Sequence, residues 1–255
     1  MKDRVLSGVT LVAFFMAIVV FNRSFPLALN IAIAFISALA VFEVIKALGL
    51  SDRWYITVPS MTAAVLVQFC EFQQANIFIY SAFTACIFCA LLRHHREITF
   101  KEMAVVYSMV ILIPLALQTI VLVRTLSEQH GMFYALVCVF SAWIPDAGAF
   151  FAGKLFGKHK LCPVVSPKKT VEGAIGGVLG TMVFGVAATL IYSIAADRME
   201  AFTRSNIGVS MYVVIALLAC VAAVLGIYGD LFASVVKRQC LSLIHISEPT
   251  RQAEI

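Results

Sequence analysis

Three polar constellations stand out in an otherwise apolar chain. The first is Asp146, which follows Trp143-Ile144-Pro145 and precedes Ala147-Gly148-Ala149-Phe150. Small residues beside an acid let a helix or a ligand come close, and a carboxylate at the end of an apolar run can bind a metal or orient a ligand. A helix-terminal carboxylate standing in water is the plainer alternative. The second constellation is Ser166-Pro167-Lys168-Lys169-Thr170-Val171-Glu172-Gly173. Ser166 as N-cap with Pro167 in the first turn predicts a helix that starts here and runs into the next apolar segment. The free N–H groups of such a start attract anions, and Lys168 and Lys169 add charge, so this is a phosphate site in outline. A basic inner loop would explain the lysines, but not the Ser-Pro or the Glu172-Gly173. No G-x-x-x-x-G-K-[ST] run is present, which excludes a P-loop. The third constellation is Gly229-Asp230-Leu231-Phe232-Ala233-Ser234-Val235-Val236-Lys237-Arg238. On a helix Asp230, Ser234 and Lys237 share one face. An acid, a hydroxyl and an ammonium in an apolar span are expensive unless they face a ligand. Asp230 could hold Mg²⁺, which takes one or two carboxylates plus substrate phosphates. A snorkelling Lys237-Arg238 pair explains the cations but not Asp230.

The elements that must position these residues are membrane helices. The chain has 255 residues, of which 62% are hydrophobic and only 13% charged, with a mean hydropathy of +0.96. Soluble domains carry roughly a quarter charged residues, so lipid must solvate much of this surface. The net charge of +5 is ordinary for a membrane protein and does not indicate nucleic acid. At ~1.5 Å per residue, about 20 residues cross the bilayer core. By that measure spans are expected over residues 5–21, 25–45, 55–72, 75–92, 103–123, 131–151, 173–195 and 209–236. The fold class is therefore all-α, a polytopic transmembrane helix bundle of about eight spans. Residues 1–21 resemble a signal peptide, but Asn22-Arg23-Ser24-Phe25-Pro26 offers no small-x-small cleavage site, so a retained first span is expected. The third and fourth spans are barely separated, by Glu71, Gln73, Gln74 and Asn76.

With the N-terminus inside, fourteen Lys and Arg residues fall on the inner side and four on the outer, with Arg251 apart in the tail. That places the stretch from Asp146 to Gly173, with its five lysines, on the cytoplasmic side. There is no repeat and no low-complexity linker, and one membrane domain over residues 1–239 is expected. Cys86-x-x-Cys89 lacks a second ligand pair and sits in an expected span, so it reads as apolar packing rather than a zinc site. His94-His95 between Arg93 and Arg96 reads as a basic cluster facing lipid headgroups. His130 and His159 carry no metal-ligand spacing.

Three blocks in this order resemble the phosphatidate cytidylyltransferase family, the CDP-diacylglycerol synthases. They are Asp146 to Phe150, then Phe156-Gly157-Lys158 through Ser166-Pro167-Lys168-Lys169-Thr170-x-Glu172-Gly173, then Gly229-Asp230-Leu231-x-x-Ser234-x-x-Lys237-Arg238. The resemblance covers residues 1 to about 239, the multi-span N-terminal half in character only. It implies a bacterial-type inner-membrane enzyme that joins CTP to phosphatidate, releases pyrophosphate and leaves CDP-diacylglycerol. It also implies Mg²⁺, with a second metal ion bridging both substrates, and a homodimer. By the same resemblance Asp230 is assigned to the metal, and Asp230, Ser234 and Lys237 to catalysis. Asp146, Ser166, Lys168, Lys169, Thr170, Glu172 and Arg238 are assigned to the nucleotide and lipid phosphates.

The family's signature should continue past Arg238 with a Lys-Asp pair, a His-Gly-Gly, an Asp-Arg-x-Asp run and a last span. This chain instead reads Gln239-Cys240-Leu241-Ser242-Leu243-Ile244-His245-Ile246-Ser247-Glu248-Pro249-Thr250-Arg251-Gln252-Ala253-Glu254-Ile255. Residues 241–251 resemble the translation of a transposase sequencing adapter, so residues 240–255 are expected to be a non-native tail, with a C-terminally truncated family domain before it. A chain lacking those elements is expected to be inactive as written. Two other readings stand beside the enzyme. One is a polytopic transporter, which would need paired interrupted half-helices; Gly173-x-x-Gly176-Gly177 has no counterpart near the N-terminus. The other is a CTP-using enzyme that acts on another lipid, which these motifs separate poorly.

Overall fold

In the computed structural model the chain is helical nearly throughout, and it divides into two compact units, Met1–Thr125 and Leu126–Ile255. The structure describes residues 25–70, 73–127, 130–163, 165–198 and 208–251, with the side chains of 73, 195–198 and 237–251 excepted. The expected span over 5–21 and the roles expected of the Lys237 and Arg238 side chains lie outside what is described, as does the expectation of a non-native tail.

The first unit contains α1 (Ala28–Ala47), α2 (Trp54–Leu66) with a 3₁₀ turn (Val67–Phe69), α3 (Gln73–Arg93) and α4 (Phe100–Thr125). On α1, Leu29, Ile33, Ser37, Val41 and Ile45 recur at every fourth position and are all buried. That row faces α2 and α4, while Ile31, Phe35 and Leu39 point outward. An apolar exterior over a helix this long fits lipid as solvent. The second unit contains α5 (Gly131–Phe156), a hairpin of β1 (Lys160–Cys162) and β2 (Ser166–Thr170), α6 (Val171–Arg198) and α7 (Val209–Arg251). Among the described residues six helices are long and apolar enough to cross a membrane: α1, α3, α4, α5, α6 and the stretch Val209–Val236 of α7. The protein is an all-α, multi-pass membrane protein.

The expected third span is shorter than its apolar run. The α-helix ends at Leu66, the 3₁₀ turn follows, and Cys70 is extended. A helix can stop among apolar neighbours only if its last carbonyls find donors. Here Gln118 Nε2 donates to the carbonyls of Val67 (2.8 Å) and Cys70 (2.9 Å), and Asn30 Nδ2 donates to that of Gln68 (2.8 Å). Gln68 in turn donates to the Pro114 carbonyl (2.9 Å), and Asn76 donates to Gln118 Oε1 (2.8 Å). These amides, drawn from α1, α4 and the chain around the turn, let α2 end early and α3 begin a few residues later.

The hairpin overturns a second expectation. Ser166 and Pro167 do not open a helix; they lie in β2, which pairs antiparallel with β1 at Lys160↔Thr170 and Cys162↔Ser166. The helix begins at Val171, and Thr170 caps it: the Gly173 N–H donates to Thr170 Oγ1 at 3.1 Å. Thr170, three residues before Gly173, supplies the cap that Ser166 was expected to supply. Strand pairing then uses the backbone groups of 166–170, and Pro167 is tolerated because a two-stranded ribbon has two edges.

Candidate active site

The site is assembled in the second unit by the close approach of α5 and α6. A Cβ added to Gly148 would lie 3.1 Å from the Gly177 Cα, and one added to Gly177 would lie 2.6 Å from the Pro145 carbonyl oxygen. At Gly173 it would lie 2.7 Å from the Ala149 carbonyl oxygen. The distances at Gly177 and Gly173 are shorter than real Cβ atoms show and the one at Gly148 is tighter than most, so these three glycines set the spacing of the two helices. This brings Asp146, on α5, to the start of α6, where the hairpin joins.

A second lock holds the turn between α5 and β1. The Lys158 N–H (3.1 Å) and the His159 N–H (3.2 Å) donate to the Glu172 carboxylate, and His159 Nδ1 lies 2.6 Å from Glu172 Oε1. The Val171 N–H donates to the His159 carbonyl at 3.0 Å. Glu172 is thereby committed to the turn.

Between these elements and α7 lies a pocket of about 310 Å³, lined by Asp146, Ser166, Lys168, Lys169, Thr170 and Asp230, with Phe150 and Ile227 on its apolar wall. The Lys169 ammonium pairs with the Asp230 carboxylate, tying β2 to α7. Both side chains keep water contact, with exposures of 25% and 47%. The two carboxylates repel one another, and Lys169 offsets that repulsion. Ser234 Oγ donates to the Asp230 carbonyl one turn back, at 2.8 Å.

Six residues singled out in the sequence thus share one pocket. Glu172 does not line it and serves the turn instead. Ser234 is bonded along its own helix and is not among the pocket's walls. The sequence reading missed His159 as the partner of Glu172, and missed the Lys169–Asp230 pair. Proximity along the chain gave no signal for either, since the partners are 13 and 61 residues apart. Among the described residues no three His, Cys, Asp or Glu side chains gather into a ready metal cluster. Two carboxylates beside lysines and hydroxyls are a donor set that suits Mg²⁺ carried in with a phosphate, because Mg²⁺ keeps several waters and needs few protein ligands. Chemically the pocket can hold a polyanion, neutralise it and orient it.

A search of protein-family models matches residues 2–241 to the cytidylyltransferase family. The phosphatidate cytidylyltransferase of Bacillus subtilis is 26% identical over 249 residues, which is 93% of this chain and 84% of that protein. The phosphatidate cytidylyltransferase of Aquifex aeolicus is 39% identical over 113 residues, 44% of this chain and 36% of that protein. That of Staphylococcus saprophyticus is 33% identical over 112 residues, 44% of this chain and 38% of that protein.

Proposed function

The chain belongs to the cytidylyltransferase family, and from that membership we propose that it is a phosphatidate cytidylyltransferase, joining CTP and phosphatidate to give CDP-diacylglycerol and pyrophosphate. The observation that carries the reading is the pairing of Lys169 with Asp230 across a pocket that Asp146 also lines. The printed names of the relatives point to the same reaction.

In the reaction a phosphate oxygen of phosphatidate attacks the α-phosphorus of CTP. The bond from that phosphorus to the β-phosphate's bridging oxygen breaks, and pyrophosphate leaves with the bonding electrons. Little covalent work falls to the protein, so catalysis is positioning and charge neutralisation. Lys169 and Lys168 neutralise phosphate oxygens, and Lys169 exchanges part of its bond to Asp230 for the substrate. Ser166 and Thr170 offer hydroxyls to the nucleotide from β2. Asp146 and Asp230 would hold Mg²⁺. When bound, Mg²⁺ would supply positive charge against the negative charge of the departing pyrophosphate, and the family resemblance implies a second metal ion beside it. The family's motif assigns Ser234, Lys237 and Arg238 to the same phosphates, and Glu172 keeps the turn that presents β2.

The same reading places the protein in a bacterial inner membrane, with its N-terminus and this pocket cytoplasmic, where CTP is, and in a homodimer. The distribution of Lys and Arg supports that orientation. The test is CTP-dependent pyrophosphate release by the purified chain in mixed micelles with each lipid. Turnover with phosphatidate and not with a prenyl alcohol supports the reading. Release only with the other lipid, or solute transport without pyrophosphate, overturns it.

A further inference from the structure

The first unit carries a pocket of its own, of about 550 Å³. It is lined by Trp54 and Tyr55 where α2 begins and by Arg93 and His94 where α3 ends, with Pro59 and Cys86 further along the same helices. One end is cationic and aromatic and the other is small and apolar. The Tyr55 and His94 rings stack at 3.9 Å, 8° from parallel, which fixes the imidazole in place. Trp54 is 72% exposed, an unusual position for an indole unless lipid or a ligand covers it.

The charges around this pocket are unbalanced. The segment from Arg93 to Glu102 contains two acids, Glu97 and Glu102, and both are engaged. Arg53 pairs with Glu97 and also donates to the Tyr55 hydroxyl at 3.4 Å. Glu97 accordingly holds the Arg53 guanidinium above its ordinary pKa. Glu102 accepts from the Thr99 N–H and hydroxyl, both at 2.8 Å, and caps α4. Arg93 is exposed in the last turn of α3, with neither acid of its segment beside it.

We propose that this pocket binds an anionic glycerophospholipid, with its phosphate on Arg93 and His94 and its glycerol and first methylenes along Pro59 and Cys86. A guanidinium matches a phosphate in geometry and charge, and Trp and Tyr favour the headgroup level of a bilayer. A soluble anion would use the cationic end and leave the apolar end and Trp54 uncovered. This inference does not rest on the proposed reaction.

The test is photolabelling of the chain in phosphatidylcholine nanodiscs with a phosphatidylglycerol that carries a diazirine beside its ester. The label is expected on peptides covering Trp54–Pro59 and Cys86–His94. Unlabelled phosphatidylglycerol should compete, whereas added phosphatidylcholine and millimolar inorganic phosphate should not. Arg93→Gln should lower labelling about tenfold, as loss of one charge-assisted contact does, while Arg93→Lys should retain most of it. If Arg93→Gln does not fold, Cys86→Phe reads the same outcome by filling the apolar end. Equal labelling of wild type and these variants would overturn the proposal. So would equal competition by phosphatidylcholine, which marks a plain lipid shell, or displacement by inorganic phosphate, which marks a free-anion site.

Discussion

Lys169 of β2 and Asp230 of α7 form an ion pair across the pocket that Asp146, Ser166, Lys168 and Thr170 complete. The pair joins a five-residue strand to a long membrane helix. It holds an ammonium and a carboxylate where a phosphate and a divalent cation would each find a counter-charge.

Removing Lys169 should therefore do more than lower local charge. Lys169→Met leaves Asp230 without its counter-ion and, in the proposed reaction, removes a donor from the phosphates. Pyrophosphate release should fall by about 10²–10³ in kcat, the usual loss for one preorganised charged donor. Lys169→Arg should recover part of it. A kcat within twofold of wild type for Lys169→Met would remove Lys169 from the chemistry.

Asp146 and Asp230 should both appear in the metal dependence. If both carboxylates hold the metal as proposed, Asp146→Asn and Asp230→Asn each take away one anionic ligand, and the Mg²⁺ concentration for half-maximal activity should rise at least about tenfold, the lower end of losses seen around metal sites. A Mg²⁺ titration of each variant measures this. An unchanged titration curve in Asp146→Asn would confine Asp146 to a structural role.

The spacing of α5 and α6 predicts a contrast between glycines on the same helix. Gly177→Ala forces a methyl toward the Pro145 carbonyl, and overpacking of this kind costs about 1–3 kcal/mol. Gly180→Ala meets nothing within 4 Å and should be neutral or gain about 0.5–1 kcal/mol from helix propensity. Thermal unfolding in one detergent compares them, and similar melting temperatures for the two would contradict the close approach.

In the first unit, Gln118→Leu should strip donors from the carbonyls of Val67 and Cys70 together. Leaving buried acceptors unpaired costs about 1–3 kcal/mol. Faster amide exchange around residues 66–70 and a lower melting temperature are expected. Exchange unaltered there would mean that α2 ends for another reason.

Much was legible in the amino-acid order because lipid imposes simple rules. Apolar runs of bilayer length had to become helices, since no other segment can bond its own backbone in hydrocarbon. Six such helices are present among the described residues, close to the expected positions. The polar residues were legible for the complementary reason, that a charge among apolar residues is costly and so marks itself. Asp146, Lys169 and Asp230 could be singled out one by one.

Their partners could not. Ser-Pro at 166–167 carries the local signal of a helix start, yet β1 is near enough to pair with it, and Thr170 takes over the cap. Local propensity lost to a contact made by a neighbouring strand. Glu172 carries the charge of a ligand residue, but the turn at Lys158 and His159 claims it. The run after Trp54 has the composition of a span, but Asn30 and Gln118, 38 residues before Gln68 and 51 after Val67, let it end early. Hydropathy and residue type are properties of each segment, so the chain order is enough to read them. Which donor meets which acceptor depends on the packing of segments far apart in the chain, and here that packing turns on glycines that let two helices nearly touch.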